Sequence, residues 1–453
     1  MKKYKESIYN QKLILENGDL LLSNALYNQN MKFLKDKAKM VIDILNECSS
    51  SYTGIYEEIY SLLKQRRFVI DYDFNEKSLV DYLRDEIIYS NDMLHLSLIP
   101  TEACNFRCKY CYQDGVKHFM SNDVIQSIKQ FLKRNLRKYN GLYVSWYGGE
   151  PLLAKDTVLE IMRYANDKCK EYNIPLYGQI TTNGYNLSLE LFNELQSNHV
   201  LSYMVTIDGT KETHNYQRPH ATDDDSYSKI LNNLKAIKEN VKRSNFRIGI
   251  RINISPNILS VLDDYVDLIG KEFGNDKRFG IIWEWVKDWG GERICSNFDL
   301  ITESYESTEY KKYLSKITEL GLQIDRGQSI TRLGSEMCIA SRKNGYLINY
   351  NGKVYKCAMA LYDPEIEEIN CIGEISKEGK LQIDPYKNSL WVGQGNIPNK
   401  CGECKHYPEC MGLLCPLALK IRNIFNCPRI LEKEQPFIMK NDDFLGKYKN
   451  FPE

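Results

Sequence analysis

Along this chain the spacing of apolar positions changes period, and the changes mark out its elements. From residue 94 to about residue 290, short apolar or alternating runs recur. Leu94 to Ile99, Leu142 to Trp146, Leu176 to Thr181, Tyr203 to Ile207, Phe246 to Ile254 and Gly280 to Val286 read as strands. Stretches with apolar residues every three or four positions separate them, among them Asn122 to Lys138, Lys155 to Tyr172 and Leu259 to Glu272, and these read as helices. Repeated strand–helix units need crossover connections, so they predict an α/β fold with a parallel sheet and helices outside it. A closed barrel would need two more units.

Ahead of this region, residues 1–93 mix the two periods on a smaller scale. A hairpin is predicted from Lys12 to Leu22, turning at Asn17-Gly18, with helices near Leu34 to Cys48 and Ile55 to Lys64 and a strand over Arg67 to Tyr72. The pattern is that of a small winged-helix-like unit. It leaves two readings open: a packing cap for the next domain, or a module that takes an extended peptide on a sheet edge. After residue 290 comes a charged connector, helical around Tyr305 to Leu320. Asn351-Gly352, between Tyr346 to Tyr350 and Lys353 to Tyr355, predicts a type I′ hairpin.

A chain of 453 residues suggests two or three domains at roughly 150 residues each. The boundaries expected are 1–93, 94–325 and 326–453. Lys+Arg and Asp+Glu are both 60, for a formal net charge of +0, so no global field favours nucleic acid or an anionic membrane. The first residues lack an apolar signal core, and no uninterrupted apolar run approaches the ~18 residues of a spanning helix, so a cytoplasmic protein is expected. Fourteen cysteines without a secretion signal point to metal or redox chemistry rather than to a disulfide framework.

Those cysteines cluster. Cys104, Cys108 and Cys111 stand in C-x3-C-x2-C spacing just after the first strand. An iron–sulfur cube normally takes four thiolates, so a loop that offers three leaves one iron for a ligand that is not protein. A structural zinc site wants four ligands, and this loop has no fourth.

With Tyr110 before the last cysteine, this motif resembles the signature of the radical S-adenosylmethionine (SAM) enzymes. The resemblance implies a partial (β/α)6 barrel, SAM chelated to the free iron, and an adenosyl radical that abstracts hydrogen from substrate. Gly148-Gly149-Glu150-Pro151, after the second strand, resembles the family's motif for the SAM amino group. By the same resemblance Thr206 and Arg218 hold the SAM carboxylate, Asn253 approaches its methionine or ribose part, and Thr182 and Tyr110 join the SAM site. The alternative for Arg218 is a surface ion pair with Asp223, Asp224 or Asp225; for Asn253 it is a satisfied buried amide.

Seven further cysteines, Cys338, Cys357, Cys401, Cys404, Cys410, Cys415 and Cys427, stand in an order that resembles the SPASM extension and its auxiliary iron–sulfur clusters. Four residues precede Cys415 where the family usually shows three. The resemblance assigns Cys401, Cys404, Cys410 and Cys427 to one cluster and Cys338, Cys357 and Cys415 to another, for three [4Fe–4S] clusters in all. A zinc ribbon at Cys401 and Cys404 is the competing reading. Cys371 is the nearby candidate for a missing fourth ligand, although free cysteine is commonly a small buried hydrophobe, the reading given also to Cys48, Cys169 and Cys295.

The expected fold is therefore a partial (β/α)6 radical SAM barrel with an N-terminal winged-helix-like domain and a C-terminal SPASM domain. The expected activity is oxidative modification of a ribosomal precursor peptide, with a thioether crosslink from Cys sulfur to carbon. Its partners would be the precursor, its leader docked on the N-terminal domain, and a one-electron reductant such as flavodoxin or ferredoxin. Rival readings are carbon–carbon or carbon–oxygen crosslinking, a sulfatase-type maturase making formylglycine, and a non-catalytic electron-transfer protein.

Overall fold

The protein is described by a computed structural model covering residues 3–15, 17–48, 51–113, 116–286, 312–313, 316–317, 319–324, 333–334, 337–393, 397–413 and 415–421. The helix expected over Tyr305 to Leu320 lies largely outside the described residues, and Cys295 and Cys427 lie outside them altogether.

The N-terminal part begins with β1 (Tyr4–Glu6), then β2 (Asn10–Ile14), β3 (Leu20–Asn24) and β4 (Gln29–Phe33). The predicted hairpin is β2 and β3, paired antiparallel from Asn10↔Asn24 to Ile14↔Leu20. A third strand, β4, joins β3. Helices α1 (Lys35–Glu47) and α2 (Ile55–Gln65) follow, then β5 (Val69–Asp71), which pairs with β1, and α3 (Glu76–Tyr89). Leu20, Leu22, Val41, Ile44 and Leu63 form the buried core of this unit. The Asn75 side chain accepts the Ser78 N–H at 3.1 Å and so caps α3.

The central sheet comes next: β6 (Leu94–Leu98), α4 (Asn122–Asn135), β7 (Leu142–Trp146), α5 (Lys155–Tyr172), β8 (Leu176–Thr182), α6 (Leu189–Ser197) and β9 (Val200–Thr206). It continues with α7 (Lys211–Gln217), α8 (Ser226–Asn240), β10 (Arg247–Ile254), α9 (Pro256–Leu259), α10 (Leu262–Phe273) and β11 (Phe279–Trp285). The six strands lie side by side in chain order, all parallel. A two-residue strand, β12 (Gln323–Ile324), extends the far edge. Burial alternates along β6 and β7, as their sequences require. Leu94, Leu96, Leu98, Leu142, Val144 and Trp146 turn to the helices, where they join Ile128, Phe131, Ile161 and Met162 in one core. The other face is polar: the Ser97 and Ser145 hydroxyls bond at 2.8 Å, and Tyr143 donates to Gln179.

The near edge of the sheet is occupied by the cysteine-bearing C-terminal part. β13 (Gly345–Ile348) pairs parallel with β6, and β14 (Lys353–Tyr355), β15 (Cys371–Ile375) and β16 (Leu381–Ile383) follow antiparallel, making eleven strands in one sheet. The β13–β14 turn is not type I′. That turn needs positive φ at both central residues, and of the pair only Gly352 has it, at 83°. Asn349 accepts from Gly352 N–H at 3.0 Å and donates to Lys353 O at 3.1 Å, giving a three-residue loop with glycine in the left-handed position. Among the described residues no helix is long and apolar enough to cross a membrane.

Candidate active site

The loop after β6 carries Cys104, Cys108 and Cys111 and is held from two sides. On one, Gly149 N–H donates to Thr101 O at 3.2 Å and Glu150 N–H to Ala103 O at 2.8 Å. A Cβ on Gly148 would stand 2.4 Å from Thr101 O, and one on Gly149 2.3 Å from Ala103 O. Glycine is needed there because two backbones touch. On the other side, Arg107 N–H donates to Pro219 O at 2.8 Å, Lys109 N–H to Gln217 O at 2.9 Å, and Ala221 N–H to Asn105 O at 2.9 Å.

The three thiols lie within one another's electrostatic reach. Burial pushes Cys104 up to about 11 and Cys108 up to about 12, with the neighbouring cysteines adding to the rise and the Arg218 charge opposing it. Cys104 Sγ accepts the Phe106 N–H at 3.4 Å. Among the described residues no three metal-binding side chains converge on a point suited to one ion. A cube differs in this respect, because each thiolate binds a separate iron. Partly buried cysteines outside any disulfide, with an amide donor on the Cys104 sulfur, suit such a cluster.

Glu150 is buried, and its carboxylate accepts from Leu152 N–H at 2.9 Å, Thr182 Oγ1 at 2.7 Å and Asn183 N–H at 2.6 Å. Burial raises its pKa, and these donors oppose the rise. Glu150 and Thr182 thus tie the glycine turn to the end of β8, a role their sequence context did not announce.

Arg218 is 6% exposed and Asp208 0%, and their ion pair spans 3.7 Å. Arg218 also donates to Tyr110 OH, which in turn donates to Asp208. Asn253 donates its backbone N–H to Asp208 at 2.7 Å and its side-chain amide to Tyr110 OH at 2.9 Å. The surface ion pair considered for Arg218 does not form: Asp223 accepts from Tyr185 OH at 2.7 Å, and Asp225 pairs with Lys211. Thr206, buried at the end of β9, lies two residues before Asp208. The structure therefore gathers Tyr110, Arg218 and Asn253 around a carboxylate that the sequence reading passed over. The one available signal was an acidic residue beside Gly209, whose φ is 78°. Arg218 Nε is buried and makes no hydrogen bond.

Cys338, Cys357 and Cys415 form a second group within mutual electrostatic reach. Burial raises the pKa of both Cys338 and Cys357, opposed at Cys338 by the nearby Ala340 amide and at Cys357 by the amides of Met359 and Ala360. Cys338 N–H donates to Leu413 O at 3.1 Å, which draws the Cys415 segment in. The fully buried Asn370 clamps Cys357, accepting its N–H at 2.9 Å and donating to its carbonyl at 2.8 Å. Cys371 packs elsewhere, against Ile99, Leu347, Tyr355 and Leu361. Cys401, Cys404 and Cys410 lie on a separate loop, while Cys48 and Cys169 are buried singly. Between the first two groups stands an aromatic seam: Tyr112, next to Cys111, shares a hydrogen bond with Tyr147 and reaches Met359 Sδ at 3.4 Å.

Residues 98–257 match the family model described as the Radical SAM superfamily. A cysteine-type anaerobic sulfatase-maturating enzyme of Clostridium novyi (strain NT) is 25% identical over 395 residues, 80% of this chain and 95% of that protein. A serine-type anaerobic sulfatase-maturating enzyme of Bacteroides thetaiotaomicron is 22% identical over 362 residues, 71% of this chain and 82% of the other. The solved structure of native anSMEcpe with bound AdoMet and Kp18Cys peptide shares the fold, with a TM-score of 0.53 at 17% identity over 70% of this chain and 88% of that one.

Proposed function

This chain carries a radical SAM domain, and from that premise we propose that it modifies a ribosomally made peptide, joining a cysteine sulfur to a carbon in a thioether. The domain implies a [4Fe–4S] cluster and SAM, which when bound supply the adenosyl radical that takes a hydrogen atom from substrate carbon. Cys104, Cys108 and Cys111 would hold the cluster. Arg218, Tyr110, Asn253 and Thr206 would orient SAM, with the Arg218 guanidinium as donor to its carboxylate. Glu150 and Thr182 fix the glycine turn beside the cysteine loop. The polar face carrying Ser97, Tyr143, Ser145 and Gln179 suits a peptide backbone, which needs hydrogen-bond partners along its length.

The observation that carries the thioether reading is the three-thiol group of Cys338, Cys357 and Cys415, with Cys371 packed in a separate apolar group. A substrate thiolate is the natural fourth ligand to a cube held by three cysteines. The balance is then complete. The carbon would lose a hydrogen atom to the adenosyl radical and the cysteine a proton, and an auxiliary cluster held by these cysteines would supply the acceptor for the one electron released. A flavodoxin- or ferredoxin-class reductant supplies the electron that starts each turnover. Cys401, Cys404 and Cys410, with Cys427, would hold the third cluster.

A second reading, oxidation of a Cys or Ser to formylglycine, draws support from the sulfatase-maturating relatives that align along most of their length. Incubation with Cys-containing precursor peptides separates the two. The thioether reading expects a product two hydrogens lighter whose cysteine no longer alkylates, a peptide-induced change in one auxiliary cluster's spectrum, and full turnover by Cys371→Ala. An alkylatable cysteine in that product, or a hydrazide-reactive aldehyde, would overturn it.

A further inference from the structure

The loop bearing Cys401, Cys404 and Cys410 is not built by the C-terminal segment alone. Tyr9 OH donates to Gly402 O at 3.0 Å. Gln11 Nε2 donates to Glu409 Oε1 at 2.7 Å and to Lys405 O at 3.4 Å. Arg84 donates to Tyr407 OH at 2.8 Å, and Tyr407 donates to Asp81. Each of the three cysteines thus has a chain neighbour tied to the N-terminal unit: Gly402 beside Cys401, Lys405 beside Cys404, Glu409 beside Cys410.

The side chains that carry these contacts are buried. Tyr9, Gln11, Arg84, Tyr407 and Glu409 are all at most 5% exposed. Tyr9, Leu26, Val80 and Ile88 share one apolar group with Met337, Met411 and Leu413, against which Cys401 and Cys404 pack. α3 also lies close to the loop, for a Cβ on Gly402 would stand 2.6 Å from the Lys77 side chain. The loop itself is compact, with Cys404 N–H donating to Cys401 O at 3.1 Å and Cys410 N–H to His406 O at 3.3 Å. Its three cysteines, none of them in a disulfide, are a donor set suited to iron and sulfide.

We propose that residues 1–93 complete the site of Cys401, Cys404 and Cys410, with Tyr9, Gln11 and Arg84 as positioning residues for the iron–sulfur cluster these thiols hold. The proposal rests on the reading that they hold one. Packing alone would need apolar contacts; here buried donors fix the backbone and side chains that flank each ligand. Outer partners of this kind orient ligands, and solvent exclusion and local dipoles set a cluster's potential. The buried Glu409 carboxylate accepts from Gln11, and His406 Nδ1 lies 3.3 Å away. Loss of Gln11 removes a 2.7 Å donor from that carboxylate, the chain neighbour of Cys410.

The test uses the anaerobic holoprotein with Tyr9→Phe, Gln11→Leu and Arg84→Met, singly and together, each checked for folding by circular dichroism. Tyr9→Phe removes one oxygen atom and keeps the apolar packing, so it serves if the others fail to fold. Redox-titrated electron paramagnetic resonance should show one auxiliary signal shifted and the SAM-cluster signal unchanged. Iron release to a chelator should be about tenfold faster, the lower end of outer-partner effects. Unchanged auxiliary signal and release, with only a lower melting temperature, would reduce the contact to packing and overturn the proposal. Unchanged iron content in Cys401→Ala/Cys404→Ala would instead overturn the cluster reading beneath it.

Discussion

Replacing Arg218 with methionine separates the two roles its surroundings give it. Arg218 offsets the fully buried Asp208 carboxylate at 3.7 Å, and its guanidinium is the donor proposed for the SAM carboxylate. Breaking a buried pair by removing one partner costs about 3–5 kcal/mol. Losing a charge-assisted contact to SAM costs about 1.5–3 kcal/mol, a roughly tenfold to hundredfold weaker affinity. Arg218→Met should therefore lose both stability and SAM binding. Adding Asp208→Asn removes the stranded charge, so the double variant should regain most of the stability but not the affinity. Burial raises the Asp208 pKa, and Arg218 is the largest influence opposing that rise. Without Arg218 the native carboxyl keeps its proton to a higher pH than in the unfolded chain. Between those two pKa values unfolding releases a proton, so the single variant's stability falls as pH rises and its deficit is largest above the raised pKa. The double variant should lack that slope. Chemical denaturation across pH and equilibrium dialysis of SAM supply the measurements. A double variant that binds SAM within threefold of the parent would show that Arg218 serves only as counter-ion to Asp208.

Three shorter predictions concern the cysteine loop and the glycine turn that holds it. Gly149→Ala puts a Cβ 2.3 Å from Ala103 O and 2.4 Å from Glu102 O, both backbone atoms; it should displace the cysteine loop and lower iron loading there, and full loading would refute the clamp. Glu150→Gln replaces one carboxylate oxygen with an amide that must face a donor. It should cost about 1–3 kcal/mol by denaturation, whereas an unchanged midpoint would leave Glu150 as a SAM contact only. Cys104→Ala should abolish reductive SAM cleavage while the C-terminal cysteines keep their iron; surviving cleavage would remove the loop from the chemistry.

What could be read from the sequence was what adjacent residues encode. The six parallel strands were legible because each run alternates or is apolar throughout, and the cysteine loop because its three thiols are contiguous. The Asn351-Gly352 turn was half legible: both turn types put glycine at positive φ, and the backbone of Asn351 decides between them. β4 was missed because Gln29, Asn30 and Lys32 break its apolar pattern, and pairing to β3 supplies what the pattern lacks. Asp208 was passed over because its partner Tyr110 stands 98 residues away and Asn253 stands 45 away. The anchoring of Tyr9 to Gly402 spans 393 residues, and no local periodicity reports it.

The continuity of the sheet bears on how two reacting groups would meet. The Cys104 loop leaves the end of β6, and the hairpin leading to Cys357 grows from β13, its hydrogen-bonded neighbour. Ile99 N–H donates to Ile348 O at 3.0 Å, so the two loops start in register. Tyr112 and Met359, one residue past Cys111 and two past Cys357, then touch across the gap at 3.4 Å. The separation of the two thiol groups is therefore set by backbone pairing in one sheet, not by the docking of a separate body. A peptide carbon held at the first group and a peptide sulfur held at the second would meet at a distance the fold has already fixed. That is the condition under which orientation replaces chance encounter in bond formation. It also explains why the seam is aromatic and half-buried: side chains with a polar tip and an apolar body can exclude water from that space while keeping a hydrogen bond between the loops.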